Sequence, residues 1–216
     1  MLKLRMLFEK TGSAKYISHL DLMNVFRRSF LRADIPIYYT KGFNPHPYLS
    51  VALPLPTAFD GKAELLDFDL DSDDMPAAFA ARLNEKLPTG IRVLDVYERV
   101  TLPKNIAYAA YTVQVFGEGL TAEACETLFA RDELPVIKKS KSGESEINVK
   151  EFIKTLSVSE TDDGVCLDVV LCAGSEKNLN PSYLVKVMEK NLTDASVSYA
   201  THCRNEIYTK SMEVFR

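Results

Sequence analysis

Apolar and charged residues alternate from Leu2 to Lys10, which predicts a strand with one face on a core. Thr11-Gly12-Ser13 ends it. Ser18 and Asp21 then have the spacing of a capping box, in which a hydroxyl and a carboxylate three residues on satisfy free helix-start amides. A helix is therefore predicted from His19 to Arg32 or Ala33. Leu22, Phe26 and Phe30, flanked by Met23 and Val25, make its buried stripe, and Asn24, Arg27, Arg28 and Arg32 lie mostly away from it. A short strand is predicted at Ile35–Thr40. Glu64–Asp71 alternates again and reads as a strand that exposes its carboxylates. Asp74 with Pro76 predicts the start of a second helix, with Phe79, Leu83 and Leu87 inward. Gly90 stops that helix, and Ile91–Tyr97 is a strand.

Residues 99–107 read as a linker, after which the order repeats. Strands are predicted at Tyr108–Phe116, Leu134–Lys139, Ser145–Val149, Phe152–Glu160, Val165–Cys172 and Ala195–Tyr208. Lys138–Glu144 is a polar hairpin tip, and Asp162-Asp163-Gly164 a hairpin turn. Helices are predicted at Thr121–Arg131, with Leu128 and Phe129 inward, and after Asn180-Pro181, with Tyr183, Leu184, Val187 and Met188 for burial. The pattern predicts an α+β fold of two tandem ferredoxin-like (split β-α-β) halves, each an antiparallel sheet backed by two helices. The halves are 1–100, with a proline-rich insertion at 41–63, and 101–216, with a long hairpin at 134–149.

The insertion is the stiffest part of the chain. Between Tyr38 and Pro56 lie Pro45, Pro47, Pro54 and Pro56, four of ten prolines. Each fixes its own φ and pushes the preceding residue out of the helical region, and any of these bonds could be cis. Gly42 permits a left-handed turn just ahead. The stretch excludes a helix or a central strand and reads as a rigid loop that presents polar groups.

Charge sharpens this picture. The net charge of −4 argues against bulk capture of nucleic acid. Residues 1–50, however, carry eight basic against three acidic residues, and 51–100 carry five basic against ten acidic. A local basic face is predicted along the first helix and the approach to the loop. Cys125, Cys166, Cys172 and Cys203 include no C-x-x-C pair, so reduced thiols in a cytoplasmic protein are expected. No apolar run reaches the roughly 18 residues that a membrane helix needs.

The candidate chemistry gathers at the first helix and the loop. His19 and His46 are candidate acid–base groups for work on a phosphodiester, with Lys41 or Arg28 neutralising developing charge. Alternatively, each histidine only ties down its own segment. Tyr38, Tyr39, Phe43 and Tyr48 flank the basic loop, where bases could stack while Lys and Arg meet phosphates; packing is the other reading. His19, His46 and His202 show no metal-ligand spacing with the cysteines. The run Asp67, Asp69, Asp71, Asp73, Asp74 reads as a solvated strand face and helix start rather than a cation site.

Tyr16-Ile17-Ser18-His19-Leu20-Asp21-Leu22, Arg27, Lys41-Gly42-Phe43-Asn44-Pro45-His46-Pro47, Ala52-Leu53-Pro54-Leu55-Pro56, and Glu64 with Leu66-Asp67 resemble the radical-SAM-linked protein family. That bacterial domain occurs alone or fused to the end of cobalamin-binding-type radical SAM proteins. The resemblance covers residues 1–70 most specifically. Its recurrent polar positions are matched by His19, Asp21, Arg27, Lys41, Asn44 and His46, while position 48, Tyr here, is more usually basic. It implies a radical SAM protein as partner. That partner would carry the iron–sulfur cluster and S-adenosylmethionine, since this chain has no three-cysteine cluster motif. The family's usual gene neighbours point toward RNA. The function expected is an accessory that binds RNA or presents substrate through His19, Asp21, Arg27, Arg28, Lys41, Phe43, Asn44 and His46. A histidine-dependent RNA-processing enzyme and a structural interaction module are the alternatives.

Overall fold

The computed structural model describes residues 1–140 and 143–216, so the centre of the predicted Lys138–Glu144 tip lies outside the described residues. The chain is α+β, dominated by sheet with few helices. It divides into two compact units: residues 1–103 with Phe215 and Arg216, and residues 104–214.

The first unit contains β1 (Leu2–Lys10), α1 (His19–Arg32), β2 (Leu49–Val51), β3 (Asp60–Leu70), α2 (Phe79–Asn84) and β4 (Ile91–Glu98). Its strands stand in the order β4-β1-β3-β2, and every pair is antiparallel. Leu4, Met6 and Phe8 of β1 and Leu66, Phe68 and Leu70 of β3 point to one face, where the stripe Leu22, Phe26, Phe30 of α1 covers them. Phe8, Phe26, Phe30, Phe68 and Phe79 form a chain of ring contacts with centroids 5.0 to 6.5 Å apart. Truncating any of these rings to alanine removes about 3–5 kcal/mol. Ser18 caps α1 as the capping-box spacing predicts: its Oγ accepts from the Asp21 amide and donates to the Asp21 carboxylate.

The predicted strand Ile35–Thr40 and the loop after it are arranged differently. Ile37 bridges Leu70 and the Tyr38 amide donates to the Asp69 carbonyl, but the next rungs on β3 belong to Leu49, opposite Phe68, Ser50 and Val51. One edge strand is thus interrupted after Tyr38 by an excursion of ten residues and resumes at Leu49 as β2. The Tyr48 amide donates to the Tyr38 carbonyl and the Thr40 amide to the His46 carbonyl, which closes the excursion at its base. Prolines are tolerated because the strand is an edge. No peptide bond among the described residues is cis.

Two further expectations are corrected. The second helix begins at Phe79 rather than Asp74, because the Ser72 hydroxyl captures the Asp74 amide in a local turn and competes with helix initiation. The strand carboxylates Asp67 and Asp69 are buried, not solvated. The alternation of β3 is real, but the face opposite the helices is also covered.

The second unit contains β5 (Ile106–Glu118), α3 (Ala122–Ala130), β6 (Pro135–Ser140), β7 (Gly143–Asn148), β8 (Ile153–Thr161), β9 (Gly164–Cys172), α4 (Ser182–Asn191) and β10 (Ser196–Thr209). Its strands stand in the order β10-β5-β9-β8, again antiparallel throughout, while β6 and β7 form a separate hairpin. Thr121 caps α3 through the Ala124 amide, and Leu128, Phe129, Leu184, Val187 and Met188 are buried. The predicted linker is part structure: Arg99 donates its amide to Lys3, a 3-10 turn spans Pro103–Asn105, and β5 starts at Ile106.

Candidate functional site

Helix α1 starts beside the end of β1. His19 lines a small recess with Phe8, Lys10, Ile17, Leu22, Val51, Leu55 and Glu64. His19 is exposed, whereas Lys10 and Glu64 are buried charges that share the strand phase of the core-facing Leu4, Met6, Phe8 and Leu66, Phe68, Leu70. The Lys10 ammonium donates to the Lys15 carbonyl. Asp21 is held by Ser18, so its carboxylate serves the helix start.

Arg28 lies nine residues along the helix from His19, a rise of about 13 Å. The helix runs back toward the end of the sheet where Ile37 bridges Leu70. Arg27 and Arg28 are exposed on its second half, and Arg27 donates to Asn24. Arg32 is committed to the Lys86 carbonyl and to Ser29. The excursion leaves the sheet opposite Phe68 and Asp69, four to five residues along β3 from Glu64, or about 13–17 Å. Its base and the arginines therefore share one end of the sheet, and His19 with Asp21 occupies the other.

Within the excursion, Lys41, Gly42, Phe43, Asn44 and His46 are exposed, and Phe43 is fully so. Gly42 turns the chain at φ +135°, with open space where a Cβ would stand. His46 is fixed locally. Its Nδ1 lies 3.2 Å from the Asn44 carbonyl and 3.1 Å from the Thr40 hydroxyl, and its amide donates to that hydroxyl. A carbonyl only accepts, whereas the Thr40 hydroxyl can donate or accept, so these contacts hold the ring in place with either tautomer. Tyr39 and Tyr48 are also exposed, giving the excursion three surface aromatics beside Lys41.

Beneath the excursion, on the face away from the helices, lies a charged cluster that sequence reasoning missed. Arg5 and Asp67 are cross-strand neighbours, and Arg5 donates from Nε (2.6 Å) and Nη2 (2.9 Å) to the two carboxylate oxygens. Nη2 also donates to the Thr101 carbonyl at 2.8 Å, and the Phe215 ring stacks 4.4 Å from the guanidinium. Arg99 adds contacts of 3.6 Å to Asp67 and 3.5 Å to Asp69, and its guanidinium sits 5.8 Å from the Tyr48 ring centroid. Tyr97 stands opposite Arg5 on β4, and burial pushes its phenol up to about 12. Partners 62 residues apart on one buried face leave no local signal. The only hint was that Arg5 and Asp67 both fall on strands.

Among the described residues, no group of three or more His, Cys, Asp or Glu side chains could hold a metal ion, and no helix is long and apolar enough to cross a membrane. Burial alone accounts for the raised Cys125 thiol (about 11) and the lowered His202 imidazole (about 4).

No curated protein matches the chain. Among solved structures, an unknown protein from Galdieria sulphuraria is 10% identical over 93% of this chain and 98% of its own, with a TM-score of 0.27. The encapsulated DyP-type peroxidase from Mycobacterium smegmatis is 10% identical over 93% and 91%, with a TM-score of 0.21. DyPB from Rhodococcus jostii is 12% identical over 93% and 90%, with a TM-score of 0.22. Residues 3–181 match the family described as uncharacterized protein conserved in bacteria (DUF2344), and the chain belongs to that family.

Proposed function

We propose that the first unit is an RNA-contacting accessory whose contact surface is the excursion at residues 39–48 together with Arg27 and Arg28 of α1. The observation that carries this reading is Phe43: a fully exposed aromatic at the turn of a loop closed by hydrogen bonds at its base. A ring held out in water by a braced loop gains nothing for folding, but it offers a stacking platform to an unpaired base. Lys41 stands two residues away, and Arg27 and Arg28 lie toward the same end of the sheet. Three cations of this kind suit a short single-stranded segment better than a long duplex track. We read each unit as a split β-α-β module. A radical SAM protein as the partner that carries the iron–sulfur cluster and S-adenosylmethionine is a further part of the proposal, and it rests on the sequence resemblance of residues 1–70.

Fluorescence anisotropy with a labelled, unstructured single-stranded RNA tests the reading. With three phosphate contacts, log K should fall against log salt with a slope of about −2. Phe43→Ala should cost about 1–3 kcal/mol of binding at an unchanged slope. Binding that ignores salt, or survives Phe43→Ala intact, refutes the assignment. RNA cleavage that disappears in His46→Ala would instead favour the enzyme alternative, with His46 as the acid–base group.

A further inference from the structure

We infer that Arg99 is the positioning residue that holds the base of the excursion and so sets where Phe43 and Lys41 are displayed; the second half of this statement rests on the proposed contact surface. Both chain segments at the base are tied to the same guanidinium. On the incoming side, the Tyr38 amide donates to the backbone carbonyl of Asp69, and the carboxylate of that residue pairs with Arg99 Nη2 at 3.5 Å. On the outgoing side, the Tyr48 ring lies 5.8 Å from the guanidinium and the Tyr48 amide donates to the Tyr38 carbonyl. Arg99 itself is anchored from behind. Its Nη1 lies 3.6 Å from Asp67, which Arg5 holds in bidentate fashion, and its backbone amide donates to Lys3 in β1. A rigid line therefore runs from the buried Arg5–Asp67 pair through Arg99 to the two tyrosines that close the loop. A planar, delocalised guanidinium can pair with a carboxylate and stack on an aromatic face at once, which a lysine ammonium does less well. Fixing a loop in its binding conformation before contact removes ordering cost from the association itself.

Hydrogen exchange separates this role from general stability. In Arg99→Gln, the Thr40 and Tyr48 amides should exchange roughly tenfold faster, while the β1 amides of Met6 and Phe8 keep their protection. Tyr48→Leu, which leaves the buried carboxylates paired, should move the same loop amides in the same direction. Arg99→Lys should give an intermediate effect. Unchanged exchange at Thr40 and Tyr48 in both Arg99→Gln and Tyr48→Leu overturns the inference, as does a loss of protection equal in the loop and in β1. The same variants are then titrated with the labelled single-stranded RNA. A wild-type protein that fails to bind takes down the contact-surface reading and leaves Arg99 judged by exchange alone. A wild-type protein that binds, with loosened variants binding equally well, overturns Arg99 as a positioning residue for binding.

Discussion

Replacing Arg5 with methionine gives the sharpest test of how the first unit is held together. Arg5 is fully buried and Asp67 is 2% exposed, and their two hydrogen bonds of 2.6 and 2.9 Å are shielded from water. Removing the guanidinium strands a buried carboxylate, a change that ordinarily costs about 3–5 kcal/mol. Arg99 Nη1 remains 3.6 Å from Asp67, so the expectation falls at the low end, about 3 kcal/mol. The double variant Arg5→Met, Asp67→Leu should behave differently. It removes both desolvated charges, and Arg5 Nη1 is a buried donor with no hydrogen-bond partner among the described residues, so the native pair is incompletely satisfied. Apolar replacement should therefore leave stability within about 1 kcal/mol of wild type. Urea unfolding followed by circular dichroism at neutral pH, with m-values compared, gives both numbers. A thermal scan should show the single variant roughly 6–12 °C lower. A single variant losing less than about 1 kcal/mol, or a double variant losing as much as the single, would refute the view that paired desolvation governs this face.

Two further outcomes test separate parts of the structure. Gly90 has φ +88°, and an added Cβ would stand 2.4 Å from the Thr11 carbonyl oxygen, so Gly90→Ala should lower the urea midpoint by an amount equivalent to at least about 1–2 kcal/mol. His202 in β10 has its pKa held down at about 4 by burial, against an ordinary 6.5. The unfolded chain thus takes up a proton that the folded one refuses, and stability should decline as pH falls from 6.5 to 4. The His202→Gln variant should lose that part of the pH dependence, and an imidazole resonance titrating near 6.5 would contradict the burial account.

The element order was legible because it rests on local rules. Alternation gave β1, the four-residue apolar interval gave α1, Ser18 and Thr121 marked their caps, and Gly164 marked the hairpin between β8 and β9. The stiffness of residues 38–56 and the turn at Gly42 were legible too, since proline and glycine act on their own backbones. What residue patterns could not supply was pairing at a distance. That Tyr38 and Leu49 are successive rungs on β3 follows from hydrogen bonds across the sheet, and no local preference distinguishes this from a continuous strand ending at Thr40. Nor does alternation say whether the second face of a strand meets water. In β3 it meets Arg5 and Arg99, and the carboxylates assigned to solvent become the anchors beneath the loop. Side chains such as His19 and Phe43 could be chosen as candidates from their type and surroundings. That His19 and the excursion stand at opposite ends of the sheet was decided only by the tertiary structure, in which α1 alone rises about 13 Å from His19 to Arg28.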